Sequence, residues 1–159
     1  MAEAISVTSA QFVQDGELPL SAAHPAVGGQ NRSPQLSWSG VPEGTRSIAL
    51  TCWDPDAPTT VGFTHWVRTG MDPSTPSLDE GAGTEQGAWV DGFTDWGEHH
   101  YGGMAPPAGD EAHHYHFTVY ALDVDGSGFD KHTTYAKFRF MIRGHVLAEG
   151  TLTGRYAVR

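Results

Sequence analysis

Apolar residues in this chain come in short runs, and most runs are β-branched or aromatic and bounded by turn residues, as suits strands. Ile5–Ala10, Gln35–Trp38, Ser47–Trp53, Thr64–Thr69, His114–Leu122 and Glu149–Tyr156 each read as a strand. Only one stretch repeats at helical spacing, with Tyr135, Phe138, Ile142 and Val146 at i, i+3, i+7 and i+11. That period predicts a helix from about Thr133 to Ala148, with Thr133 or Thr134 as N-cap and Gly150 as the stop. Twenty glycines and ten prolines, spread throughout, leave little room for other long helices. The span from Met71 to Gly92 has no period and is rich in Gly, Ser, Pro and acidic residues, so it reads as a long surface loop.

A chain of 159 residues is the size of one ordinary domain, so a single core spanning residues 1–159 is expected. Nine Lys plus Arg against nineteen Asp plus Glu give a formal charge of -10, which opposes association with nucleic acid. The same charge opposes an anionic membrane surface, and no apolar run approaches the roughly 20 residues needed to span a bilayer. The first residues, Met-Ala-Glu-Ala-Ile-Ser-Val, lack the basic start and apolar stretch of a secretory signal, so a cytoplasmic location is expected. The lone Cys52 cannot form an internal disulfide, which agrees with a reducing compartment.

Three segments carry candidate chemistry. Asp54-Pro55-Asp56-Ala57-Pro58 delivers two carboxylates where an apolar strand ends, and residues two apart in extended chain point the same way. His65, beside Trp66 at the start of another apolar stretch, is either a satisfied core histidine or a donor that neighbouring carboxylates orient and charge. The third segment runs from Asp95 to Phe117. Its glycines and prolines describe a fixed loop whose backbone can approach a ligand, and His113 and Tyr115 would share a face as the next strand begins. Five histidines cluster there, His99, His100, His113, His114 and His116, but no spacing matches a helical His-x-x-x-His or a Cys/His zinc pattern, so no metal site is expected. There is no Gly-x-Ser-x-Gly elbow, no P-loop and no dinucleotide fingerprint, and Cys52 lies in an apolar strand, so neither a nucleophilic hydrolase nor a cofactor enzyme is indicated.

Taken in order, these pieces resemble the phosphatidylethanolamine-binding protein (PEBP) family, most of all its bacterial Raf-kinase-inhibitor-like branch. The resemblance runs through Asn31–Pro42, Asp54–Pro58, His65-Trp66-Val67, Tyr101–Pro107, His113–Phe117 and Gly144–Gly154, nearly the whole chain. It implies a mainly β fold, a two-sheet antiparallel sandwich with Greek-key topology and a few short peripheral helices. It also implies that Asp54, Asp56, His65, Ala105, Pro106, His113 and Tyr115 form a pocket for a small phosphate-, sulfate- or carboxylate-bearing ligand, with backbone N–H groups of the proline loop beside His65. In that arrangement Asp54 and Asp56 orient the histidines and raise the His65 pKa, and the Ala57–Pro58 bond is cis. One departure stands out: the family's second signature usually has Arg after its histidine, where this chain has His114, which cannot form a bidentate fork to a carboxylate.

The leading expectation is a binding protein for an anionic small molecule that acts without a cofactor. By resemblance, a protein kinase or protease is a candidate partner, and a homodimer is a further possibility. The alternative is a biosynthetic enzyme using Asp54, His65, His113 and Tyr115 for proton-transfer or cyclisation chemistry.

Overall fold

The computed structural model describes residues 3–159, apart from the side chain of Glu3. The strands are β1 (Glu3–Ala4), β2 (Ser6–Thr8), β3 (Leu36–Ser39), β4 (Ser47–Asp54), β5 (Phe63–Met71), β6 (Ser77–Leu78), β7 (Val90–Asp91), β8 (His113–Leu122) and β9 (Val146–Tyr156). The one α-helix among the described residues, α1, is Tyr135–Met141. Short 3-10 turns lie at Leu20–Ala22, Pro25–Val27, Ala82–Thr84 and Gly126–Gly128.

Among the described residues nine strands form two sheets, in the orders β1-β9-β8-β4-β5-β7 and β2-β3-β6. Pairing is antiparallel except for the two-residue β1–β9 contact at the edge. After β5 the chain makes a long excursion and returns as β8 on the far side of β4, the skip that a Greek-key sandwich requires. Alternation then divides β8 cleanly. Tyr115, Phe117, Val119 and Ala121 join the main core with Leu36, Trp38, Leu50 and Trp66, while Tyr120 and Leu122 join a second cluster with Phe138 and Ile142 of the α1 region.

All six strand segments read from the sequence are present, with ends moved by a few residues; Ile5–Ala10 shrinks to β2, and β1 lies just before it. The helix is shorter than its period predicted. Thr134 caps it by accepting from the Lys137 N–H, and Phe138 and Ile142 are buried as the spacing requires. After Met141, however, the chain turns, and Gly144 adopts a left-handed φ of +80°. Val146, the last position of the apparent period, instead pairs with Leu122 as the first residue of β9. A strand residue fell by coincidence on the helical repeat. The span from Met71 to Gly92 is also less loose than expected, because β6, β7 and the turn at Ala82–Thr84 pin it, with Ala82 and Gly83 buried.

Candidate functional site

Because β4 runs antiparallel to both β5 and β8, its C-terminal end meets their N-terminal ends at one edge of the larger sheet. Asp54, Phe63, His65, His113 and Tyr115 therefore converge there. With Ala57, Pro58 and Thr59 from the following turn, and Trp96 and Ala105–Pro107 from the long connection, they line a pocket of about 250 Å³. Its walls are mostly apolar, and its polar atoms are few.

His65 owes its place to an irregularity in the ladder. Pairing steps from Cys52–Trp66 to Trp53–Thr64, which leaves His65 as the extra residue of a bulge. Strict alternation would send its side chain away from the face occupied by Trp66. The bulge re-aims it, and its ring lies 5.2 Å from that of Tyr115. Gly102 then holds it twice, accepting from Nδ1 at 2.7 Å and donating its own N–H to the His65 carbonyl at 3.0 Å. A Cβ at Gly102 would run into the Trp96 indole, so glycine is required for this approach. With Nδ1–H committed to a carbonyl, Nε2 of neutral His65 bears the lone pair, and it has no hydrogen-bond partner among the described residues. Burial pushes the His65 pKa below its ordinary value, outweighing the opposing pull of Gly102 and Asp54. Burial likewise pushes the Tyr115 phenol up, with Asp54 adding to the shift.

The carboxylates serve other histidines. Asp54 accepts the Asp56 N–H at 2.8 Å on one oxygen and His113 Nδ1 at 2.7 Å on the other. His113 Nε2 meets Asp110 Oδ2 at 3.0 Å. Burial opposes charge on His113, but the two carboxylates prevail and its pKa rises. Asp56 accepts both the His114 N–H and His114 Nδ1, at 2.8 and 2.7 Å. Burial works against the Asp56 charge, yet these bonds lower its pKa overall.

Six of the seven residues expected in the pocket are there: Asp54, His65, Ala105, Pro106, His113 and Tyr115. Asp56 is not. Its bond to His114 turns it into an adjoining groove, and the sequence had no means of showing that the two aspartates of one turn part company. The expected rise of the His65 pKa is also not found: Asp54 and the Gly102 carbonyl do pull it upward, but burial outweighs them and the pKa falls. The proline loop is a poorer source of backbone donors than expected, since Pro106 and Pro107 have no N–H and only Ala105 offers one. The Ala57–Pro58 bond is trans, as no described peptide bond is cis. His114 does take over the carboxylate that an Arg was expected to hold, with one ring nitrogen and its backbone N–H in place of a fork.

Sequence reasoning assigned no role to Phe63, Thr59, Trp96 or Asp110. Trp96 donates from Nε1 to the Gly103 carbonyl at 3.2 Å, packs edge-on to Phe63 and stacks on His24 at 4.2 Å. A tryptophan between Asp95 and Gly97 was the available signal, since Asp95 docks this loop on β5 by accepting the Thr64 N–H and donating its own to the Thr64 carbonyl. The five histidines disperse. His99 lies beside Phe93, His100 meets Glu98, His113 and His114 meet aspartates, and His116 meets Thr153. Among the described residues, no three His, Cys, Asp or Glu side chains form a group able to hold a metal ion.

The profile of the family described as phosphatidylethanolamine-binding protein matches residues 8–157. The chain belongs to that family. Within it, YbcL of Escherichia coli K12 is 36% identical over 165 residues, covering 99% of this chain and 90% of YbcL. The crystal structure of E. coli YbcL, described as a member of the mammalian PEBP family, superposes with a TM-score of 0.92 at 35% identity, over 98% of this chain and 99% of that one. YbhB of the same organism is 41% identical over 133 residues, covering 81% and 84% of the two chains. LppC of Mycobacterium tuberculosis, named a lipoprotein, is 36% identical over 125 residues, covering 77% of this chain and 58% of LppC. No helix among the described residues is long and apolar enough to cross a membrane.

Proposed function

We propose that this PEBP-family chain binds a small molecule through a phosphate, sulfate or similar anionic group in the pocket, and that His65 takes up a proton as the anion arrives. The observation that carries this reading is His65 Nε2, a ring nitrogen of a buried residue that lines the pocket, with no hydrogen-bond partner among the described residues while Nδ1 is fixed by Gly102. Protonated at Nε2, it becomes a charge-assisted donor in a setting where water competes little. Tyr115 and the Ala105 N–H supply further donors, and the apolar walls fit an organic group attached to the anion. A volume near 250 Å³ sits just below the range of about 300–1,000 Å³ usual for drug-sized ligands, so a headgroup or a small ester fits, and two acyl chains do not.

Calorimetric titration of phenyl phosphate and phenol tests the reading. The ester should bind and phenol should not, with close to one proton taken up per ester at pH 7.5 in buffers of different ionisation enthalpy. Equal affinity for the two compounds would end the proposal. The protein is proposed to act in the cytoplasm, in keeping with the acidic chain and buried Cys52; fractionation that places it in an envelope compartment would redirect the search for a ligand.

A second reading, a cofactor-independent acid/base enzyme, is favoured by the same histidine. A neutral imidazole whose tautomer is fixed by a carbonyl, with Tyr115 alongside, has the form of a general base. Turnover of a bound candidate substrate that disappears in His65→Gln while binding persists would establish it.

A further inference from the structure

His113 is the side chain shared by two depressions. It lines the pocket, and it also lines the adjoining groove formed with Asp56, Asp110, Glu111, Ala112 and His114. Both ring nitrogens lie against carboxylate oxygens, Asp54 at 2.7 Å and Asp110 at 3.0 Å. Ionised carboxylates only accept hydrogen bonds, so the ring satisfies both partners only as imidazolium, with a hydrogen on each nitrogen. Two negative groups on one positive ring leave this triad with a negative balance, which works against an incoming anion.

The two carboxylates are held very differently. The Asp54 side chain is 3% exposed and is fixed a second time by the Asp56 N–H. The Asp110 side chain is 43% exposed and sits on a turn in which its own N–H reaches Pro107, beside Gly109 at a φ of +91°. A half-exposed ion pair of that kind is weak, so it can be exchanged for another acceptor at little cost.

We propose that the Asp110 carboxylate is a built-in competitor for the bound anion: from the groove it holds the His113 Nε2–H donor, and a ligand's anionic group in the pocket gains that donor only by displacing Asp110 from the ring. The inference rests on the anion-pocket reading above. It makes Asp110 a residue that limits anion affinity, with Asp54 as the permanent anchor of the ring. An opposite role is physically open to the same contact, because Asp110 could instead steady His113 for the ligand. The two roles differ in sign, so affinity decides between them.

The experiment is titration of phenyl phosphate into the wild-type protein, Asp110→Asn, Asp110→Ala, His65→Ala and Asp125→Asn, followed by calorimetry and by the imidazole 15N resonances of His113. Asp125→Asn removes the same unit of charge beyond the other end of β8, where the residue pairs with Arg46, and so measures the effect of net charge alone. The proposal expects both Asp110 variants to bind about three- to tenfold tighter than wild type, the size of a weak surface contact plus one removed charge, with Asp125→Asn close to wild type. The His113 Nε2 resonance should move on titration. Equal affinity in wild type and both Asp110 variants, with binding still lost in His65→Ala, would overturn the competitor role and leave the anion pocket standing. Weaker binding in the Asp110 variants would also overturn it, by making Asp110 a positioning residue. No binding by any of the proteins would remove the pocket reading and this inference together.

Discussion

Strand β5 carries two buried basic side chains three residues apart, and only one of them belongs to a site. Arg68 is fully buried and closed in: Nε and Nη2 reach the two oxygens of Asp91 at 2.8 and 2.9 Å, and Nη2 also reaches the Ala82 carbonyl at 2.9 Å. Trp66 and Trp89 flank the guanidinium with ring centres at 5.1 and 4.4 Å. Its Nη1 is without a hydrogen-bond partner among the described residues, yet Arg68 does not line the pocket. His65 has less charge and fewer partners, but its unpartnered nitrogen belongs to a residue lining a cavity. A buried ionisable group marks function when its spare valence meets a space a ligand can enter. Where the same valence is enclosed by packing, it serves the fold, here by tying the 82–91 segment to the sheet.

The largest effect expected from breaking this comparison is on stability, through Arg68. Arg68→Met should cost about 3–5 kcal/mol in denaturant unfolding, because it strands the Asp91 carboxylate, whose side chain is only 10% exposed. Affinity for phenyl phosphate in the folded protein should stay within about twofold of wild type. A stability loss below about 1 kcal/mol would show that the two indoles, and not the ion pair, hold the segment.

His65→Ala should do the reverse. The loss of a hydrogen bond to a charged group predicts about 1.5–3 kcal/mol of binding free energy for phenyl phosphate, measured on the folded protein, with a smaller loss of stability than Arg68→Met. His132→Ala, at an exposed position away from the pocket, is the control and should bind like wild type. Retention of full affinity by His65→Ala would place the anion elsewhere.

A third effect separates the histidines by pH. His113 has a raised folded pKa, so the native state holds more protons than the unfolded chain above about pH 6.5; its contribution is complete below that value and is lost as pH rises through the folded pKa. His65 and His116 have lowered folded pKa values, so the unfolded chain binds more protons below about pH 6.5, and stability falls as pH drops through that region. Histidine 13C–1H resonances followed against pH should show His113 titrating above the ordinary range, with His65 and His116 below it. The opposite order would contradict the hydrogen-bond assignment on which the pocket rests.

The smallest effect is expected at His114, whose pair with Asp56 is half exposed on both sides. His114→Arg, which places the family's usual residue there, should change stability by no more than about 0.5 kcal/mol and leave phenyl phosphate affinity unchanged, since Asp56 faces the groove. A tenfold gain in affinity would show that the fork reaches the pocket after all.

The sequence by itself determined the β architecture and most of the pocket's membership. Alternation and turn residues are local, so strands such as Ser47–Asp54 and His113–Leu122 were legible to within one residue, and so was the shared face of His113 and Tyr115. The resemblance supplied Asp54, His65 and the Ala105-Pro106 loop. Only the tertiary structure decided how these groups are wired. A helical repeat ending at Val146 cannot reveal that Val146 is claimed by Leu122, because strand pairing is a long-range contact that outweighs a weak local period. Nor can an Asp-Pro-Asp turn reveal which histidine each carboxylate meets. That choice came from the packing of β4 beside β8, which gave Asp54 to His113 and Asp56 to His114. The charge on His65 was settled by a bulge that buries its ring, with burial outweighing the carbonyl and carboxylate beside it, and pKa follows burial and partners that exist only once the sheets have closed.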